Sequence, residues 1–423
     1  VAAEAEGPRP VAGPRAAFGL IRSRTFGPYF VGNASSASGT WFQNLAAQLL
    51  VYRLTHSPFL LGVLNFCNFI PVLALAPWAG SAADRFDRRR LLIVTQVAAT
   101  ALSGTLAVLA WSGLADQWVV IGFAFGLGVS SAYSAPTSTA FISQLVDREE
   151  LASAVALNSM TFNIARAVGP ALAAVSVRQL GIPASFAINA GSYLVFIAGL
   201  ALVEPRRVAQ LRRGEARLRE SLALVRRTPR LLVFLLIVAV VGFASDPINT
   251  EAPAFARAFG YPDTVAGWII GAFGFGAVAA AFLVAGRVAG SRRRMVVTLT
   301  VLGLGVIGLS VSPWLALAFV FLAIAGFGYL ASNTHATSRL QLEVEESQRG
   351  RIMALWSVAF LGLRPLASLI DGTIAGAFGV RTAGICLALP ALAMALVVAF
   401  RGEKVRKLRS LRHRDSSMTP PIP

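Results

Sequence analysis

The chain has 423 residues, of which 56% are hydrophobic and 14% charged, with Lys and Arg exceeding Asp and Glu by 18. Soluble domains carry about 25% charged residues, so the polar residues here are too few to coat the two or three soluble domains this length would make. The basic residues fall in short runs between long apolar segments, which excludes a nucleic-acid surface and matches the loops of a polytopic membrane protein.

Only Lys404 and Lys407 are lysines, so the Gly-Lys-Ser/Thr of a phosphate-binding loop is absent and the chain is not its own ATPase. Cys67 and Cys386 lie far apart in apolar segments and read as buried thiols rather than a disulfide. Nothing points to a metal, a cofactor or an enzymatic centre.

Residues 1–25 are rich in Pro, Ala and Arg and lack the apolar core of a signal peptide, so they read as a cytoplasmic tail. Twelve candidate spans follow, each near the ~20 residues that cross a ~30 Å hydrocarbon layer. They run near Phe26–Val51, Pro58–Ala82, Leu91–Gly113, Trp118–Val146, Leu151–Gln179 and Pro183–Val203. The second six run near Leu231–Ala254, Val265–Val288, Met295–Val311, Trp314–Leu342, Ile352–Phe378 and Ala383–Arg401. The first span holds Asn33, Ser35, Ser36, Ser38, Thr40, Gln43 and Asn44, a mixture expected to line a polar cavity.

The loops set an expected orientation. The basic runs Arg85–Arg90, Arg206–Arg230 and Arg292–Arg294 occupy even-numbered turns, and a basic tail runs from Arg401 to Arg414. The odd turns are poor in positive charge, so both termini are expected in the cytoplasm. Trp111, Trp118 and Trp314 suit the aromatic belt of the opposite boundary.

The loop from Glu204 to Arg230 carries nine arginines and reads either as an amphipathic helix on the inner leaflet or as a solvated linker. It divides the chain into a bundle over 26–204, a linker over 205–230, a bundle over 231–401 and a tail over 402–423. The halves repeat: Trp118, Gln144 and Ala156 return as Trp314, Gln341 and Ala354, at separations of 196, 197 and 198 residues. Parallel six-span repeats are a transporter architecture whose halves move to give alternating access.

Gly80, Asp84, Arg85, Arg88 and Arg89 resemble the G-x-x-x-D-R-x-G-R-R signature of the major facilitator superfamily, at its usual place between spans two and three. The resemblance implies an all-α integral membrane protein with twelve transmembrane helices in two pseudo-symmetric six-helix bundles. It also implies a cytoplasmic gate in which Asp84 latches the outward-facing state. Asp87 stands where the family has Gly, a substitution that narrows the allowed backbone. The second copy, AGRVAGSRRR from Ala285, keeps the arginines but has Val288 in the slot of Asp84.

The segments GTWFQNLAAQLLVYRLTHSPFLLG, ELASAVALNSMTFNIARAVGPALAA and RGRIMALWSVAFLGLRPLAS resemble the enterobactin-exporter and macrolide-efflux branch. Members export siderophores, antibiotics or other hydrophobic small molecules, generally by proton antiport. The antiporter signature of span five is represented by Ala156, Ala165, Gly169, Pro170, Ala173 and Ala174, four of them alanine in place of glycine. Ordinary small-residue helix packing explains the same row. Span four lacks the arginine of the drug-antiporter branch, so coupling through that residue does not carry over.

Ionisable residues inside spans are default functional candidates because burying them is costly. Arg166, Asp246 and Arg364 fall near mid-span, and Asp371 follows Arg364 by two helical turns. Asp246 is the leading protonation site, with Arg166 or Arg364 as its partner; a static salt bridge is the competing reading. Glu251 is expected to face an external vestibule. His335 suits proton handling or a packed structural role.

The expected function is proton-coupled export of a hydrophobic small molecule from a prokaryotic plasma membrane. The proton gradient would supply energy and the chain would act as a monomer in the bilayer. An importer or uncoupled facilitator, and a non-transporting receptor or scaffold, stay open.

Overall fold

The computed structural model describes residues 19–147, 149–206, 225–226, 228–284 and 291–416. The sequence-based readings of residues 1–18 of the N-terminal tail, most of the 205–230 linker and Val288 fall outside them, whereas Leu20, read as part of that tail, is buried in the core of the first unit. Helices joined by short turns make up the described chain, with no strand among the described residues.

Among the described residues ten helices are long and apolar enough to cross a membrane, and a bent pair makes an eleventh. The first helix, α1 (Phe26–Thr55), has 30 residues, ample length for a span, but its amide and hydroxyl side chains make it too polar to count among them. The bent pair is α2 (Pro58–Ala74) and α3 (Ala76–Arg85). Then come α4 (Arg88–Trp111), α5 (Gln117–Ile142), α6 (Leu151–Leu180) and α7 (Ile182–Leu202). The second half holds α8 (Pro229–Ala244), α9 (Asp246–Thr250), α10 (Ala252–Ala258), α11 (Ala266–Val284) and α12 (Arg292–Val311). It ends with α13 (Leu315–Leu342), α14 (Glu346–Phe360), α15 (Arg364–Phe378) and α16 (Val380–Ser416).

In hydrocarbon a backbone must satisfy its own polar groups, which selects helices for these apolar runs. The turns carry their own chemistry. Asp116 caps α5 by accepting a hydrogen bond from the Val119 N–H at 2.8 Å. Gly181, at φ 84°, ends α6 in the left-handed region, and Pro183 opens α7. The same glycine turn recurs at Gly379, φ 87°, between α15 and α16.

Three of the expected spans are interrupted, each where a proline opens the next helix. α2 and α3 meet at 52° around Leu75, with Pro77 following. Ser245 and Glu251 flank α9, ahead of Pro247 and Pro253. The break between α14 and α15 precedes Pro365. Proline lacks the N–H of an interior turn and its ring clashes with the carbonyl four residues back. Asp246, Glu251 and Arg364 stand at these interruptions.

Packing divides the chain into two compact units: Val1–Ala47 with Ile70–Arg212, and Gln48–Phe69 with Arg213–Pro423. In the first unit, Phe26, Tyr29, Leu92, Phe141, Phe196 and Leu200 share a buried core. The polar residues of α1 bond across it. Asn33 donates to Asn158 at 2.7 Å and Ser36 to Gln96 at 3.2 Å, while Gln43 accepts from Asn189 at 2.6 Å. Thr40 pairs with Tyr193 at 3.1 Å. These four side chains tie α1 to α4, α6 and α7.

In the second unit, α13 packs against both α11 and α12. A side chain at Gly276 or Gly326 would collide with the carbonyls of Ala323 and Phe273, so α11 and α13 touch backbone to backbone.

Candidate functional site

The chemistry concentrates in the second unit, where the helix breaks place their polar residues. Asp246, the first residue of α9, is 1% exposed. Its Oδ2 accepts a hydrogen bond from Thr250 at 2.9 Å and its Oδ1 one from Ser368 at 3.1 Å. Arg364, the first residue of α15, is buried, acts electrostatically on Asp246, and sets its guanidinium 4.5 Å above the Phe69 ring. Gln48 donates to the Asn249 carbonyl at 2.9 Å, tying the end of α1 to α9.

Glu251 and Asp371 are both fully buried, and no hydrogen-bond donor reaches any of their four carboxylate oxygens. Both interact electrostatically with Asp246, and Glu251 also with Asp371. The expectation that Glu251 faces an open vestibule is corrected: as the residue preceding α10, it is enclosed at the break. A fully ionised Glu251–Asp371 pair has no donor to offset its desolvation. Proton uptake is the change of state this arrangement can undergo.

The crossing of α2 and α15 holds the cluster. A Cβ on Gly62 would lie 2.9 Å from the Gly372 Cα, so these two glycines let the backbones meet beside Ser368 and Asp371. Farther along, Arg53 forms a two-pronged ion pair with Asp263, at 2.6 and 3.2 Å. Asp263 is 4% exposed and Arg53 41%, so the carboxylate is the enclosed partner.

The signature between spans two and three lies in the first unit. Asp84, at the end of α3, is exposed, and its Oδ1 is 4.0 Å from the Arg88 guanidinium. Arg85 is exposed beside it, and a side chain at Gly80 would meet nothing within 4 Å. Arg88 donates to the carbonyls of Ala83 and Ala140 at 3.2 and 3.1 Å. Arg89 donates to Leu200 and Ala201 at 2.7 and 2.6 Å, closing the carbonyl end of α7. These arginines staple helices.

Asp87 is the N-cap of α4. Its φ is −61° and its side chain accepts from the Arg90 N–H at 2.8 Å, so no glycine is required there. In the second unit Arg292 donates to the Val398 and Ala399 carbonyls of α16, a helix that continues beyond them to Ser416. Arg89 and Arg292 therefore correspond, one residue off the register obtained by aligning the two arginine triplets.

The antiporter-like row lies on α6. Ala165, Gly169, Pro170, Ala173 and Ala174 are buried and Ala156 is exposed. At Gly169 an added Cβ would lie 2.9 Å from the Trp41 Cβ, a close approach of α6 to α1. Arg166 is half-buried on the same helix, in the first unit, whereas Arg364 shares a unit with Asp246. His335, 3% exposed on α13, lies apart from the acids, with Arg294 and Arg339 as its charged neighbours.

Residues 15–422 match the family described as transmembrane secretion effector. The chain belongs to that family, within the major facilitator superfamily. The chain is 25% identical over 395 residues to a staphyloferrin A transporter of Staphylococcus aureus, spanning 89% of this chain and 96% of the relative. It is 23% identical over 382 residues to macrolide efflux protein A of Streptococcus pyogenes, covering 85% and 93%. A solved bacterial homologue of the human lysosomal transporter Spinster, inward-facing and occupied, superposes with a TM-score of 0.72 at 15% identity over 92% of this chain and 97% of the other. The chain is thus an integral membrane transporter rather than an enzyme, with efflux proteins among its relatives.

Sequence reasoning missed Gln48, Arg53, Thr250, Asp263 and Ser368. Two of these carried a signal: Thr250 follows Asp246 by four residues and Ser368 follows Arg364 by four, so each shares a helix face with its charged neighbour. Gln48 and the Arg53–Asp263 pair become visible only once residues far apart in sequence are packed together.

Proposed function

We propose that this transporter is a proton-coupled exporter of a hydrophobic small molecule of the siderophore, macrolide or related secondary-metabolite class. It would work by alternating access as a monomer in a prokaryotic plasma membrane, with both termini in the cytoplasm. The observation that carries the reading is the cluster of three buried carboxyls, Asp246, Glu251 and Asp371, with Arg364 acting on Asp246. Proton, guanidinium and substrate would compete for Asp246, which couples substrate movement to the gradient. The relatives named for staphyloferrin A transport and macrolide efflux support the cargo class and the outward direction.

The test is uptake of labelled siderophores and macrolides into inverted vesicles, with and without a pH gradient. Wild-type uptake collapses when the gradient is dissipated, and Asp246→Asn retains under about one tenth of the gradient-driven component, a barrier change of about 1.4 kcal/mol or more. Wild-type uptake indifferent to the gradient would leave an uncoupled facilitator. Full gradient-driven uptake by Asp246→Asn would remove that residue from the coupling.

A further inference from the structure

We infer that the pocket between α11, α12 and α13 binds the phosphate headgroup of an anionic phospholipid, drawn from the leaflet at the Arg292–Arg294 end of the second unit. The pocket has a volume of about 480 Å³, a size suited to a small ligand. Arg293 and Arg294 of α12 and His335 of α13 line its polar end. No acidic residue appears in its lining among the described residues.

His335 is the residue that singles out this place. It is 3% exposed, it lines the pocket, and its Nδ1 has no hydrogen-bond partner. A buried ring nitrogen left unpaired is unfavourable, and a phosphate oxygen at the pocket's polar end would accept its N–H. The start of α12 adds to the attraction. Ser291 provides no side-chain cap, so the first N–H groups and the positive end of a 20-residue helix turn toward the same end. Arg292 donates to the carbonyls of Val398 and Ala399, and Arg293 and Arg294 line the pocket. Matching Arg292 to Arg89 puts Leu91 opposite Arg294, so the first unit has no counterpart of this paired charge.

The pocket's gradient of polarity selects a lipid over a free phosphate. One turn along α12 from Arg294, Val297 is 51% exposed, and Leu283 at the end of α11 is 58% exposed. Phe327 lies two turns along α13 from His335 and continues the apolar wall deeper into the span. An amphiphile with its charge at the boundary and its chains running inward matches that order, as in basic pockets between transmembrane helices that hold anionic headgroups.

The experiment uses the full-length protein purified in neutral detergent, its melting temperature titrated with phosphatidylglycerol, phosphatidylcholine or glycerol phosphate. Phosphatidylglycerol should raise the wild-type melting point saturably, while the other two leave it in place. The double variant Arg293→Gln/Arg294→Gln should need roughly 30-fold more phosphatidylglycerol for half the effect, at the usual strength of two basic charges against an anionic lipid. Arg90→Gln, which removes an exposed arginine of the first unit, should respond as wild type does. Equal responses in wild type and double variant would overturn the site. Equal stabilisation by phosphatidylcholine would overturn the headgroup recognition, and by glycerol phosphate the lipid source. The measurement reads no transport, so it stands apart from the proton-coupling proposal.

Discussion

At the scale of single residues, the clearest revision concerns Asp87, whose position in the family signature calls for glycine. Its side chain closes the first turn of α4, a role glycine fills only through backbone freedom. Asp87→Ala is expected to lower unfolding stability by about 1 kcal/mol and Asp87→Gly by only a few tenths, read as the order of their thermal melts. Asp84 behaves differently. It is exposed and 4.0 Å from Arg88, a geometry worth about 0–1 kcal/mol. Asp84→Asn should therefore melt within about 0.5 kcal/mol of wild type while lowering turnover, since the family resemblance gives the residue a latch role in another conformation. Melting and transport measured on the same preparation separate the two, and unchanged turnover would remove the latch. No motif rule could show Arg89 and Arg292 bonding to helix carbonyls, because their acceptors lie about a hundred residues away.

Among the elements, the interrupted helices carry the site. Hydropathy presents spans seven and eleven as continuous, and the prolines at 247, 253 and 365 are what open them. The breaks put Asp246, Glu251 and Arg364 where backbone geometry is irregular and enclosed by protein, the setting in which a membrane tolerates it. The α2–α15 crossing then closes on Gly62 and Gly372. Gly62→Ala should destabilise the transporter by about 1–3 kcal/mol through overpacking. Gly80→Ala, where an added Cβ meets nothing within 4 Å, should cost far less. Comparing the two melting curves tests whether the crossing is as tight as its backbone distances indicate. The Arg53–Asp263 pair joins α1 to the turn before α11, and its carboxylate is the buried member. Arg53→Gln should destabilise by more than a surface pair's about 1 kcal/mol, since it strands a buried charge. A double-mutant cycle with Asp263→Asn reads that coupling.

For the whole molecule, the alternation of basic and neutral loops predicts the orientation. Reporter domains fused after Gly113 should report the outer side and those fused after Val203 the cytoplasm; the reverse pattern would invert the topology. Membrane class, helical fold and transporter family were legible in the sequence because lipid imposes long apolar runs and forbids any spanning backbone but a self-satisfied one. The two-fold repeat was legible for a similar reason, since each half keeps the same turn chemistry, down to the left-handed glycines at 181 and 379. Tertiary structure decided which charges meet. Periodicity puts Arg364, Ser368 and Asp371 near one helix face, but not that Asp246 takes its hydrogen bond from Ser368, or that Gln48–Phe69 packs with the second unit. Nor could spacing reveal that Glu251 is enclosed rather than open to solvent. Burial and pairing depend on packing between distant segments, while hydropathy and helical period are properties of the local chain.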